Sequence, residues 1–324
     1  MTRVLVIEAS SGGVVGGSLT GLLHMIHGLD RERIVPGLVL YERKDIEDGL
    51  RADGVPVYHV TRRRLRKEHS LLELEGYQRA KRVGAVKAVL SFGRQLLRLG
   101  VEELPAALRL ARVIREFRAD VVHLGNGVRA NFDGLLACWL TRTPVIVHVK
   151  GFEKYSNRER AAARRIDALV PMTKAVEEHC RRHGIVGRRT VVIYDGIDAA
   201  GFAPQRPAAA VRAELGFGDA PCVGVASNIQ EWKGQLVLVE AMAEVAQAVP
   251  EARALIIGGV HRAGTDYNAR MERRIAELGL RDRVIITGFR NDIADVTSAL
   301  DVVAHTSVRP EPFGRVILEG MLLG

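Results

Sequence analysis

The stretch VLVIEASSGGVVGGSLTGLLHMIHGL spans residues 4–29. It opens on VLVIEAS (4–10), whose first four residues are a continuous Val/Leu/Ile run, crosses SGGVVGG (11–17), and continues as LTGLLHMIHGL (19–29). An unbroken apolar run suits a strand buried on both faces, and the later apolar spacing is that of a helix. A strand, a glycine-rich turn and a helix make the opening of a βαβ unit, whose next strand runs parallel to the first.

The same alternation continues outward from this stretch. IVPGLVLY (34–41), PVYHV (56–60), DVVHLG (120–125), PVIVHVKG (144–151), ALVPM (168–172) and TVVIYDG (190–196) all read as strands. A second series begins after an Ala-, Pro- and Gly-rich stretch at 199–221: CVGVAS (222–227), ARALIIGG (252–259), RVIITGF (283–289) and DVVAHTS (301–307). The expected architecture is α/β, with two doubly wound, Rossmann-like domains in tandem, at 1–198 and 222–324, joined by a linker at 199–221. Four strands are few for such a sheet, so the second domain is expected to be incomplete where the chain stops at GMLLG.

The chain has 324 residues, 47% of them apolar and 5% aromatic, which suits ordinary globular cores. No apolar run reaches about 18 residues, so no membrane span is expected. The start, MTRVLVIEASSGG, does not read as a signal peptide. Cys138, Cys180 and Cys222 are scattered and odd in number, which fits neither a disulfide framework nor a metal cluster and suits a reducing cytoplasm. The net charge of +9 is concentrated: residues 61–118 hold 15 Lys and Arg against 6 acidic residues. A local surplus points to one anionic surface rather than to nucleic acid along the whole molecule.

Several short motifs sit at strand ends. SGGVVGG permits a close backbone approach to a phosphate. Its glycines do not have the G-x-G-x-x-G spacing and no Walker lysine follows, so a nicotinamide dehydrogenase, with Glu42 on the ribose, is a poor match. A flexible turn is the plain alternative. SNIQEWKGQ (227–235) carries Lys233 beyond a strand and before a helix, where an ammonium can meet a diphosphate, although a single lysine in a loop is usually just solvated. His123 and His148 stand at two strand ends, and IYDGID (193–198) reads as a turn or hinge. RPEPFGRVILEG (309–320) holds Glu311 and Glu319 around a Pro-Phe-Gly turn. Pro312 suits a first helical turn, so Glu311 should lie in the loop and Glu319 on the helix, with unpaired amides between them offered to an anion.

In this order, GG (16–17), HVKG (148–151), YDGID (194–198), NIQEWKGQ (228–235), TGF (287–289) and EPFGRVILE (311–319) resemble the retaining GT-B glycosyltransferases of family four, whose hallmark is a pair of glutamates separated by seven residues. The resemblance implies transfer of a sugar from a nucleotide-sugar to a hydroxyl acceptor. Glu311 would accept hydrogen bonds from the donor sugar, and Glu319 from the ribose. Amides near Phe313 and Gly314 would face sugar and diphosphate, Lys233 would neutralise the diphosphate, and Gly16 and Gly17 would approach it from the first domain. His148 would lie near sugar and acceptor, and Gly288 and Phe289 would border the base. Asn228 stands where the family often has an arginine, and Arg315, in the first helical turn, is the candidate to replace that charge. No cofactor is implied, and no Asp-x-Asp stands at a strand end, so no essential metal is expected.

Two other readings stay open: a non-catalytic remnant that binds without turnover, and a GT-B nucleotide-sugar epimerase. The basic segment suggests a partner as well. RRRLRK (62–67) precedes a stretch in which Val83, Val86, Leu90 and Leu97 share one helical side, flanked by Lys87, Arg94 and Arg98. Such a face can lie on an anionic membrane surface, which would suit a peripheral enzyme with a lipid-linked acceptor in polysaccharide or glycoconjugate assembly. The plain alternative is a helix covering the core.

Overall fold

The computed structural model describes residues 1–9, 17–63, 93, 95–261 and 264–324. Backbone contacts divide it into two compact units, Met1–Asp195 and Gly196–Gly324.

The first unit contains β1 (Thr2–Glu8), α1 (Gly17–His27), β2 (Ile34–Leu40), α2 (Glu47–Ala52) and β3 (Val57–His59). A π-helical turn, Leu99–Glu103, leads into α3 (Leu104–Phe117). Then follow β4 (Val121–Leu124), α4 (Gly127–Ala130), α5 (Phe132–Thr141), β5 (Val145–Val149), α6 (Asn157–Ala163), β6 (Ala168–Pro171), α7 (Lys174–Arg182) and β7 (Arg189–Thr190). The seven strands form one parallel sheet in the order β3-β2-β1-β4-β5-β6-β7. Val6, Leu38 and Leu40 on the strands pack against Leu19, Leu22 and Ile26 of α1, the helical apolar side expected from the opening stretch.

The second unit contains α8 (Ala208–Glu214), β8 (Cys222–Ala226), a 3₁₀ turn (Glu231–Lys233), α9 (Gln235–Ala248), β9 (Arg253–Ile257), α10 (Thr265–Glu277), β10 (Val284–Gly288), α11 (Ile293–Ser298), β11 (Val302–Val303) and α12 (Arg315–Leu322). Its sheet is parallel, in the order β10-β9-β8-β11. On β9 the two side-chain faces enter different cores: Ala254 and Ile256 meet Leu238, Met242 and Met271, whereas Leu255 and Ile257 meet Val211, Phe217 and Val296. Burial on both faces is why these strands read as unbroken apolar runs.

Four expectations need correction. The stretch 199–221 is not simply a linker: α8 lies within it, and Val211 and Phe217 are buried in the core of the second unit. The strand expected over 190–196 is regular only at Arg189–Thr190, although Val191 and Ile193 still donate to the carbonyls of Leu169 and Pro171 on β6. Pro312 lies outside the helix, which begins at Arg315 after Gly314 turns the chain with φ 76°.

The basic insertion expected over 61–118 is the fourth. Its last part is α3, a crossover helix whose Ala107, Leu110, Ile114 and Phe117 are buried and which packs against α5. At its other end, Arg62 turns inward to an ion pair with Asp133, which is fully buried, and lies over the Tyr41 ring. Removing this guanidinium would leave an enclosed carboxylate without its counter-charge, so this arginine belongs to the fold. Arg98 is engaged as well, 3.2 Å from both Glu102 and Glu103, while Leu97 is exposed. Arg64 and Arg66, and Val83, Val86, Lys87, Leu90 and Arg94, lie outside the described residues.

Candidate active site

In each sheet the strand order reverses once, between β1 and β4 and between β8 and β11. Crossovers leave in opposite directions there, so the chain opens a crevice beyond the carboxyl ends of those strands, the usual ligand position in such sheets.

In the second unit the loops after β8 and β11 converge at this point. Lys233 ends the 3₁₀ turn after β8, and its Nζ donates to Oε1 of Glu311. Ser307 Oγ donates to Oε2 of Glu311 at 2.6 Å, and His305 Nε2 lies 3.0 Å from the same oxygen. The Lys233 ammonium also stands 4.2 Å from the centre of the Trp232 ring. Burial pushes the Glu311 carboxyl up, but the hydrogen bonds from Lys233 and Ser307 outweigh it and the group ends below its ordinary value. Glu311 is therefore a carboxylate at neutral pH, an acceptor with no proton to give.

The backbone that aims Lys233 tolerates little change. Gly234 has φ 68°, and a Cβ there would lie 2.1 Å from the Thr306 carbonyl oxygen. The Thr306 hydroxyl donates to the Lys233 carbonyl at 2.8 Å, and the Val308 amide donates to the Trp232 carbonyl at 2.9 Å. These bonds tie the two loops together. Thr297, Leu300, Val303, His305 and Ile317 help line a neighbouring cavity of about 490 Å³.

The other expected donor residues are placed as follows. Asn228 is exposed on the loop after β8, and its carbonyl accepts from the buried Gln235 side chain at 3.0 Å. Gly288 closes β10 with φ 70°, and Phe289 after it is 67% exposed. Phe313 and Gly314 lie in the bend just before α12. Arg315 and Glu319 pair with each other, Nε to Oε1 at 3.3 Å, as residues four apart on a helix do. The guanidinium Nη1 of Arg315 is buried with no hydrogen-bond partner among the described residues.

In the first unit, His148 is buried near the end of β5, and its ring stacks on that of His123 from β4 with centroids 5.7 Å apart. Both Nε2 atoms are buried with no hydrogen-bond partner among the described residues. Burial pushes each imidazole down to about 3, with Lys150 adding to the effect and, at His123, His148 as well. Both rings are neutral at physiological pH, so His148 can exchange hydrogen bonds with a hydroxyl but carries no charge. Asp195 stands 3.9 Å from His148 Nε2 and 3.5 Å from Lys150 Nζ. Gly17 opens α1, and Gly16 lies outside the described residues. Among the described residues, no three His, Cys, Asp or Glu side chains are grouped as metal ligands would be.

Sequence reasoning missed His305, Ser307, Lys150 and Asp195. For His305 and Ser307 the signal available was position alone, just after the strand that flanks the reversal, whereas Lys150 and Asp195 stand inside HVKG and YDGID, motifs that by themselves gave them no role.

Residues 44–200 match the family Glycosyltransferase Family 4, and residues 209–324 match Glycosyl transferases group 1. A 2-deoxystreptamine glucosyltransferase of Streptomyces kanamyceticus is 31% identical over 68% of this chain and 62% of its own length. A D-inositol 3-phosphate glycosyltransferase of Mycobacteroides abscessus is 33% identical over 49% of this chain and 35% of its own. The chain thus spans less than two thirds of the length of these curated relatives. Among solved structures, Anabaena HepE in complex with UDP and glucose superposes with a TM-score of 0.76 at 25% identity, over 100% of this chain and 79% of its own. Two strand-order reversals, a Lys–Glu pair at the second of them and two successive family matches lead to one assignment: the chain has the fold of the GT-B glycosyltransferases, its residues 44–200 matching Glycosyltransferase Family 4 and its residues 209–324 matching Glycosyl transferases group 1.

Proposed function

We propose that this chain transfers a sugar, with retention of configuration, from a nucleotide-sugar to a hydroxyl acceptor. The observation that carries the reading is the meeting of Lys233 and Glu311 beyond β8 and β11. A cation and an acceptor-only carboxylate side by side are what a diphosphate joined to a polyhydroxyl ring requires. The complexes of HepE with UDP, glucose and UDP-glucose support a uridine donor.

In this reading Lys233 leaves Glu311 for the diphosphate, and Glu311 turns to the sugar hydroxyls. Glu319 serves the ribose, with Arg315 holding its carboxylate, and Phe289 borders the base. Neutral His148 is suited to share a hydrogen bond with an acceptor hydroxyl. The acceptor attacks the anomeric carbon from the face the diphosphate leaves, and a diphosphate oxygen takes its proton. The side chains thus stabilise the departing charge and fix the approach.

The test is release of nucleoside diphosphate from a panel of UDP-, GDP- and ADP-sugars with carbohydrate and lipid-linked acceptors, followed by NMR of the product's anomeric centre. Release with a retained anomer supports the proposal. An inverted product refutes retention. Binding without release under any combination favours a non-catalytic protein, and a recovered epimeric nucleotide-sugar favours an epimerase. A lipid-borne acceptor is further read from sedimentation with anionic vesicles, using variants neutralised at Arg63, Arg64 and Arg66 but not at Arg62, which the fold needs.

A further inference from the structure

Glu311 has two oxygens, and a carboxylate offers about four lone-pair sites in all. Two donors converge on Oε2: the Ser307 hydroxyl at 2.6 Å and the His305 ring at 3.0 Å. Lys233 takes one position on Oε1. The loop after β11 therefore saturates one oxygen, and the loop after β8 half-fills the other. If Lys233 moves to a diphosphate, Oε1 is left with both positions open while Oε2 stays fixed.

Several features make His305 suited to this task. It comes just after β11, and its side chain is 31% exposed, so its contact with Glu311 is made at the surface of the crevice rather than in the core. A Cβ on Gly314 would lie 3.7 Å from its Nε2, and that glycine's φ of 76° discourages any side chain there. The ring thus lies within ordinary contact distance of the residue that precedes α12. Its Nε2 serves as donor with the ring neutral in one tautomer or charged, so the bond does not require protonation of the ring.

We infer that His305 is a positioning residue for donor-sugar recognition: with Ser307 it anchors Oε2 of Glu311 and so presents Oε1 to the hydroxyls of the transferred sugar. The inference rests on the reading of Lys233 and Glu311 given under Proposed function. It makes a specific demand, because Glu311 serves the sugar and not the nucleotide. Losing the anchor should weaken a nucleotide-sugar and spare the bare nucleoside diphosphate.

The experiment is calorimetry on the full chain with two matched probe pairs, UDP with UDP-glucose and GDP with GDP-mannose, using whichever pair binds the wild-type chain. His305→Leu should weaken the nucleotide-sugar about tenfold, the size expected for one charge-assisted hydrogen bond, and shift the nucleoside diphosphate less than about twofold. His305→Gln, which keeps a donor, should stay within about threefold of wild type for both. Ser307→Ala removes the other donor to the same oxygen and should show the same selectivity as His305→Leu. Thermal melting confirms that each variant is folded. Equal weakening of both probes, no weakening of either, or a Gln variant as impaired as Leu overturns the inference while the nucleotide-sugar reading stands. Failure of the wild-type chain to bind any member of either pair overturns that reading first, and the inference with it.

Discussion

Replacing Lys233 by methionine removes one charge and keeps most of the apolar stem against Trp232. The side chains of Lys233 and Glu311 are 18% and 15% exposed, so their pair is partly shielded from water. At about 4 Å and an effective dielectric near 20, two unit charges attract by about 4 kcal/mol. Most of this is offset by desolvation, and a hydrogen bond between charged groups nets about 1.5–3 kcal/mol. His305 and Ser307 still serve Glu311 in the variant, so the lower end applies to stability, about 1.5 kcal/mol or a fall in Tm of roughly 3–8 °C. Binding should suffer separately. Loss of a charge-assisted contact to a diphosphate weakens it about 10–100-fold, and the wild-type ammonium must first give up Glu311, so about tenfold is expected.

The pH dependence of the same variant has a defined sign. Glu311 is depressed below its ordinary 4.5, so its pairing contributes stability above that value and loses it as the pH falls through the lower, folded value. The stability gap between wild type and Lys233→Met should therefore close below about pH 4.5. The assays are calorimetry with UDP and thermal melting across pH. A lowered Tm with unchanged UDP affinity would reduce Lys233 to a structural partner of Glu311 and refute its diphosphate role.

Three further outcomes follow from particular residues. Arg62→Met should destabilise the first unit by about 3–5 kcal/mol, because it leaves the fully buried Asp133 carboxylate with the Tyr41 hydroxyl and the Gly134 amide but no counter-charge, and a loss below about 1 kcal/mol in chemical denaturation would show that these two donors suffice. Gly234→Ala places a Cβ 2.1 Å from the Thr306 carbonyl and should lower both Tm and UDP affinity, whereas wild-type behaviour would mean the loop relaxes without moving Lys233. Burial, with Glu159 adding, raises the Glu153 carboxyl to about 7 against hydrogen bonds that lower it, so the folded chain binds this proton more tightly than the unfolded one and loses stability as pH rises from 4.5 through 7. Glu153→Gln should then melt higher than wild type at pH 8 and gain far less at pH 4; an equal shift at both would rule out titration of this group as the cause.

The sequence by itself determined the two parallel sheets and the kind of ligand position they create. Unbroken apolar runs such as 4–7 and 254–257 can only be satisfied by burial on both faces, and helices between them force parallel pairing. It also singled out Lys233, Glu311 and Glu319 as candidates, because motif order survives in one dimension. Helical spacing alone contained the Arg315–Glu319 pair, four residues apart. Only the tertiary structure decided which groups meet. Lys233 and Glu311 are 78 residues apart, and Arg62 and Asp133 are 71 apart, so no local pattern reports either pair. The same holds for the stretch 199–221, whose composition reads as linker although Val211 and Phe217 find a core to enter. Local spacing sets which face of an element is apolar, whereas a charge's partner depends on how the sheet orders its strands, and that order is settled by packing across the whole unit.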